Sequence, residues 1–319
     1  MRRGFVVLAA AVSSLTVAAV VPSVARGSST YVPAQGERIT AANARQVAGA
    51  REVAPGIWAA PLRSARPAWV TDEMIAAARK KPQPAPESAN PDVPASGFVG
   101  IRPGSFEIDP YGCTMNFVFQ QSGQYAIGTA GHCVDKVGQM VTLVTVAPGG
   151  DNPVLVTIGP VLKRVFSENK IAPDFALVAI PAALNDWVFP TIAQVLGPCG
   201  TYTGGGLTQI PLPEVFKGQD TAIGPEQVAH YGHGLGIGTG GTPRTGVAMY
   251  WDTDAYYWNS PSAPGDSGSP VRVSNLAGAG NLTDLVVDTA HPGAVVEGTR
   301  LTSIEQIVGG WTLVNSSYC

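Results

Sequence analysis

Pro264-Gly265-Asp266-Ser267-Gly268-Ser269-Pro270 places a serine between glycines, behind an acid. Glycine at 265 lets the backbone turn without a Cβ, so the amide N–H groups of Gly265 and Ser267 can point at one spot. Two convergent donors are what a developing oxyanion needs. A serine hydroxyl is a weak nucleophile unless a base takes its proton, so the rest of the chain must supply a base and a group to orient it. The chain holds four histidines, His132, His230, His233 and His291. His132 stands in Gly128-Thr129-Ala130-Gly131-His132-Cys133, and an acid follows in Ala172-Pro173-Asp174-Phe175-Ala176-Leu177-Val178. The order along the chain is therefore His132, Asp174, Ser267.

Two other orders of the same groups, Ser-Asp-His and Asp-His-Ser, belong to unrelated folds. The serine also fails the G-x-S-x-G elbow, because position 269 is serine. The blocks Thr129–Cys133, Asp174–Val178 and Gly265–Pro270 resemble the three signature blocks of the chymotrypsin/trypsin-like serine protease family. Gly131, where the animal enzymes have alanine, is similar to the secreted bacterial, streptogrisin-like branch. The resemblance covers roughly residues 97–319. It implies an all-β domain of two packed six-stranded antiparallel β-barrels with a short C-terminal helix near Ile304–Trp311. The first barrel, about residues 97–190, would carry His132 and Asp174; the second, about 191–319, would carry Ser267. The join would lie near Asn185–Gly200. The activity implied is that of a secreted serine endopeptidase working through an acyl-enzyme. His132 would be the base and Asp174 its orienting acid. The N–H groups of Gly265 and Ser267 would form the oxyanion hole. No cofactor and no metal is implied, the substrate is a protein or peptide, and the chain is expected to be a monomer. Two other readings remain open: a catalytically silent binding protein on the same fold, and an esterase or processing enzyme of narrow specificity.

The flanking sequence fits export. Arg2 and Arg3, the apolar run Phe5 to Val21 and the small residues Ser23-Val24-Ala25 read as a signal peptide over 1–25. No second apolar run is long enough to span a membrane, so no membrane is expected for the mature form. Residues 26–96 are rich in Ala, Pro and Arg and contain no cysteine. Thr71 as N-cap, Asp72 and Glu73 in the first turn and Pro82 as the stop predict one helix. Arg38 to Arg51 is expected to form a second, Ala-rich helix. Pro82 to Pro94 reads as an extended linker. Residues 97–319 carry nine basic against seventeen acidic residues, and residues 26–96 nine against six. Opposite net charges favour association of the two parts, and residues 26–96 are expected to be a pro-segment. No basic patch suggests a nucleic-acid partner.

Past residue 97, short apolar runs such as Val141–Val146 and Val154–Ile158 alternate with Gly, Pro and Asn, the pattern of many short strands. The four cysteines, Cys113, Cys133, Cys199 and Cys319, suit an oxidising compartment and allow three pairings. The resemblance implies Cys113–Cys133, and Cys199 and Cys319 then remain as the second pair. It also places Pro261 and Ser262 at the base of a specificity pocket and Thr289, Ala290 and His291 on its wall. With no acid at Pro261, an apolar or small side chain is the expected substrate group. Gly236–Gly241 formally matches G-x-G-x-x-G, but the Thr242-Pro243 that follows cannot easily open a helix, so a hairpin of the second barrel is expected. His230 and His233 lack a third ligand nearby in sequence and read as surface or turn histidines.

Overall fold

The computed structural model describes residues 30–80, 97, 99–150, 152–204, 208–209, 216, 226–235, 241–290 and 294–319. The stretch read as a signal peptide at 1–25, the stretch read as a linker at 82–94, residues 236–240 and His291 lie outside the described residues.

The first strands are β1 (Arg51–Ala54) and β2 (Ile57–Pro61), followed by helix α1 (Asp72–Lys80). Then come β3 (Phe106–Asp109), β4 (Cys113–Thr114), β5 (Val118–Gln121), β6 (Gln124–Thr129), β7 (Val141–Val146), β8 (Pro153–Ile158), β9 (Val161–Val165) and β10 (Phe175–Ile180). β4 and β5 are the two halves of one bent stretch, as are β8 and β9. Pro160 marks the second bend, because it has no N–H to continue a ladder. With those halves joined, the antiparallel pairing closes on itself: β3 to β4, β5 to β6, β6 to β10, β10 to β9, β8 to β7, and β7 back to β3. This is a six-stranded barrel. Met115, Val118, Ile127, Leu143, Val156, Ile158, Ala176 and Val178 fill its interior.

After β11 (Thr208–Gln209), a second barrel follows. Its strands are β12 (Gln227–Gly232), β13 (Thr242–Trp251), β14 (Ala255–Asn259), β15 (Pro270–Val273), β16 (Gly278–Asn281), β17 (Asp284–Asp288) and β18 (Ala294–Thr299). β16 and β17 again form one bent stretch. The circuit runs β12, β13, β14, β18, β17 with β16, β15 and back to β12. The chain ends in helix α2 (Leu301–Val308) and β19 (Thr312–Leu313), which pairs with β5. The barrels meet over Phe117, Phe119, Phe175 and Leu177 of the first, Tyr231 of the second, and Leu301, Ile304 and Val308 of α2. The fold is the expected pair of antiparallel barrels with a short C-terminal helix. Both disulfides are formed, Cys113–Cys133 and Cys199–Cys319.

Three expectations need correction. Helix α2 starts at Leu301 rather than Ile304 and stops before Gly309. Its buried face is Leu301, Ile304 and Val308, a spacing that fits one side of a helix and leaves Trp311 outside. Arg38–Arg51 is not a helix beyond a single 3-10 turn at Ala44–Gln46. The Asn43 side chain accepts from Thr40 N at 2.7 Å and Thr40 Oγ1 at 3.2 Å, and such local bonds compete with a helix. His230 and His233 are buried rather than at the surface. His230 Nε2 lies 3.0 Å from Ser260 Oγ, and His233 Nε2 lies 2.8 Å from Gly104 O while its ring stacks on Phe106. Helix α1 forms as expected, and Thr71 Oγ1 accepts from Met74 N at 3.2 Å.

The N-terminal segment lies across both barrels. β2 pairs antiparallel with β17, extending the second barrel's sheet, and β1 pairs with β2. Val70 and Ile75, at and near α1, pack against Phe106, Ile108 and Val144 of the first barrel.

Candidate active site

His132 sits on a 3-10 turn, Gly131–Cys133, just past the end of β6. Asp174 immediately precedes β10. Ala176 pairs with Thr129 in the β6–β10 ladder, so the end of one strand and the start of the other are neighbours. The antiparallel register thereby brings together a histidine and an acid 42 positions apart. The Cys113–Cys133 bridge ties the histidine's turn to β4. Ser267 comes from the second barrel, on the turn before β15. Thr114 of β4 holds that turn: its N donates to Ser267 O at 2.8 Å and its Oγ1 donates to Gly265 O at 2.9 Å. Gly265 and Gly268 have φ of +109° and +89°, and a Cβ on Gly268 would lie 2.0 Å from Thr114 O. Only glycine fits this turn without strain.

The three side chains form one chain of contacts. His132 Nδ1 is 2.6 Å from Asp174 Oδ2, and His132 Nε2 is 2.6 Å from Ser267 Oγ. The backbone N–H of His132 donates to Asp174 Oδ1 at 3.0 Å. Ser267 Oγ also lies 2.8 Å from Thr283 O. All three residues are buried. Burial alone would push the Asp174 carboxyl up, but the His132 ring, its two hydrogen bonds and the Arg51 guanidinium hold it below the ordinary carboxylate range. The main chain at Asp174 is fixed by the second barrel: its N donates to Thr299 Oγ1 at 2.8 Å, and its O accepts from Asn281 Nδ2 at 3.0 Å.

Asp266, beside the serine, faces away into the second barrel. Arg244 grips it with two hydrogen bonds of 2.5 and 2.6 Å, and the N–H groups of Gly234 and Ala263 donate to it at 2.7 and 2.8 Å. Burial would raise its pKa, but the guanidinium and these donors lower it. Its partner is thus inside the barrel rather than a freed chain terminus.

The amides of Gly265 and Ser267 converge on one oxygen. Both donate to the backbone O of Leu62, at 2.6 and 3.2 Å. Leu62 N donates to Thr283 O at 3.0 Å, and the Leu62 side chain is fully buried. The residue beside Leu62 is therefore Thr283, at the bend between β16 and β17. Thr289 lies further along: its N and Oγ1 both donate to Gly56 O at 2.9 Å, and it and Ala290 are exposed. Pro261 is exposed and Ser262 half-buried, and Pro261 lines a cavity with Arg244, Thr245 and Arg272. The structure gathers His132, Asp174, Ser267 and the two amides, while Thr289 bonds to Gly56 and Pro261 lines the cavity with Arg244.

Sequence reasoning missed Arg244, Thr283, Asn281, Thr299 and Leu62. Arg244 had a signal: a buried acid beside the serine needs a cation, and the second barrel offers few basic residues besides Arg272 and Arg300. Leu62 and Thr283 meet through main-chain atoms, and Asn281 and Thr299 reach the main chain of Asp174 from distant strands, so neither pairing leaves a local sequence signature. Among the described residues, two groups of side chains approach closely enough to share an ion. In the first, Cys113 and Cys133 are bonded to each other. In the second, both His132 ring nitrogens are engaged and Asp284 faces Arg51, so neither set is free to ligate.

No protein-family model and no curated protein matches this chain. Solved structures similar to it include Thermobifida fusca protease A, at 18% identity and a TM-score of 0.42, covering 69% of this chain and 99% of that one. A glutamic acid-specific serine protease described as using a histidine triad in substrate binding matches at 14% and 0.41, covering 67% and 100%. A Nocardiopsis protease matches at 16% and 0.39, covering 68% and 98%. None of these likenesses assigns a role to a residue of this chain.

Proposed function

We propose that the chain is a serine endopeptidase, exported and acting on proteins or peptides through His132, Asp174 and Ser267. The observation that carries this reading is that a histidine bridges a carboxylate and a serine hydroxyl while two amides beside that serine already hold a peptide carbonyl oxygen. Ser267 Oγ attacks the carbonyl carbon of a substrate bound there. His132 Nε2 takes the hydroxyl proton and returns it to the leaving nitrogen. Asp174 keeps the other ring nitrogen protonated and stabilises the imidazolium. The N–H groups of Gly265 and Ser267 hold the oxyanion, an interaction that strengthens as charge develops. Water then hydrolyses the acyl-enzyme. Two disulfides support an oxidising compartment. No helix among the described residues is long and apolar enough to cross a membrane.

The test is labelling of the purified chain with a fluorophosphonate, together with casein hydrolysis. The expected result is one label per chain on Ser267, with S267A taking none and losing about 10⁴- to 10⁶-fold in rate. A folded chain freed of residues 26–96 that takes no label and cleaves nothing over a long incubation would leave the fold as a binding scaffold.

A further inference from the structure

The segment through the cleft is laid out as a substrate. β2 pairs with β17 in antiparallel register, with Pro61 opposite Asp284, Ala60 opposite Leu285 and Ala59 opposite Val286. Past the serine, the chain crosses to the first barrel. Ser64 N donates to Gly112 O and Gly112 N donates to Ser64 O, both at 2.9 Å. The backbone is thus clamped on both sides of Ser267, by one barrel before Leu62 and by the other after Arg63. Between the clamps, the one carbonyl oxygen held by the two amides is that of Leu62. Arg63 is fixed as well: its Nη1 donates to His132 O at 2.6 Å, and its guanidinium lies 4.1 Å over the Tyr111 ring. Holding both flanks of a peptide bond against an aligned nucleophile removes most of the entropy of finding it.

We propose that the chain's own N-terminal segment is the first substrate of this site, cut between Leu62 and Arg63, and that the pocket taking Leu62 selects a leucine-sized apolar side chain. This rests on the endopeptidase reading above. Ser267 Oγ–H adds to the Leu62 carbonyl carbon, and its proton passes to His132 Nε2. That proton goes to the Arg63 nitrogen as the C–N bond breaks, leaving Leu62 as an ester on Ser267. Water cleaves the ester and returns the serine hydroxyl. One peptide bond and one water become a Leu62 carboxylate and an Arg63 amine.

The released piece does not simply fall away. It stays paired with β17, and Arg51 stays buried with its Nη1 and Nη2 each 3.1 Å from an Asp284 oxygen. Arg51 also donates to Lys170 O at 2.9 Å and Ile171 O at 3.2 Å. The cut segment therefore occupies the cleft as a bound product until it dissociates or is degraded.

The experiment is mass spectrometry of the denatured full chain over a time course after purification, with S267A alongside. The expected result is a new N-terminus at Arg63, formed at a rate independent of protein concentration, and no such product from S267A. L62D should form it at least about 100-fold more slowly, since an ionised carboxylate resists burial without a partner, and L62M at close to the wild-type rate. Because L62D can also disturb folding, the peptide Ile-Trp-Ala-Ala-Pro-Leu-Arg-Ser is offered to the wild-type protein, with cleavage after leucine expected. A chain that takes the fluorophosphonate and hydrolyses casein but stays intact at Leu62–Arg63, or cuts this peptide elsewhere, overturns the proposal and leaves the endopeptidase. Equal cutting of S267A at Leu62–Arg63 overturns it too. A chain that stays intact at Leu62–Arg63 and shows neither label nor hydrolysis once residues 26–96 are removed overturns both.

Discussion

Arg244 shows what a single buried ion pair does for this site. Asp266 is fully buried next to Ser267, and its charge is tolerable because the guanidinium and two amides surround it. R244M removes the cation and strands the carboxylate. A loss of about 3–5 kcal/mol is expected, read from urea denaturation, with a smaller loss for R244M combined with D266N because that pair leaves no orphaned charge. Glu107 is the opposite case. It is buried, among the described residues only Thr129 Oγ1 donates to it, at 2.8 Å, and burial holds its pKa well above the ordinary 4.5. It keeps its proton in the fold where the unfolded chain has lost it. Its contribution to stability is therefore full below about pH 4.5 and drains away as pH rises toward the folded value. E107Q has no proton to lose. Relative to wild type, its unfolding free energy should gain about 1.4 kcal/mol per pH unit above pH 4.5 until that folded value is reached. Denaturation curves at pH 4 and above test this, and a difference that does not change with pH would refute it.

Among the elements, the legible ones were those whose cause is local. Thr71, the acids after it and Pro82 mark α1 in sequence because capping involves residues a few positions apart. The β-branched run Val141–Val146 reads as a strand and forms β7. Arg38–Arg51 misled because alanine content favours a helix only weakly. There Ile39, Ala44, Val47 and Ala50 instead pack on the second barrel, next to Trp258 and Val271, and Arg51 turns inward to Asp284. Contacts between distant strands were not legible either: the bend at Leu282-Thr283 decides which carbonyl meets the N-terminal strand at Leu62, and that is Thr283. Bends and register set such positions, and a slip of a few residues leaves the composition of a strand unchanged.

At the scale of the molecule, His132 and Asp174 stand on one barrel and Ser267 on the other, so their contacts require the two barrels to be held against each other. The Cys199–Cys319 bridge closes a loop of 120 residues around the second barrel and anchors the chain end after β19 has paired with the first. Replacing both cysteines with serine should lower stability by about 2–5 kcal/mol, with the larger value expected from the length of the loop. Comparing thermal or urea unfolding of the variant with wild type tests this. Loss of activity well below the unfolding midpoint would further indicate that the bridge also fixes how the barrels sit. The net charges of the two parts, one basic and one acidic, agree with the way β1, β2 and α1 wrap the barrels. Charge counts report attraction without geometry, so they could not say that the wrapping runs through the cleft.

By itself the sequence singled out the serine, histidine and acid that the fold brings together, the glycines that let the serine's turn form, and the many short strands of the chain. Those properties rest on residue type and local backbone freedom, which are written position by position. Only the tertiary structure decided that Arg244 neutralises Asp266, that Thr283 faces the N-terminal strand at Leu62, and that the carbonyl between the two amides belongs to Leu62. Each depends on contacts between positions far apart in the chain. Those contacts are set by strand register and barrel closure, and no short stretch of sequence encodes them.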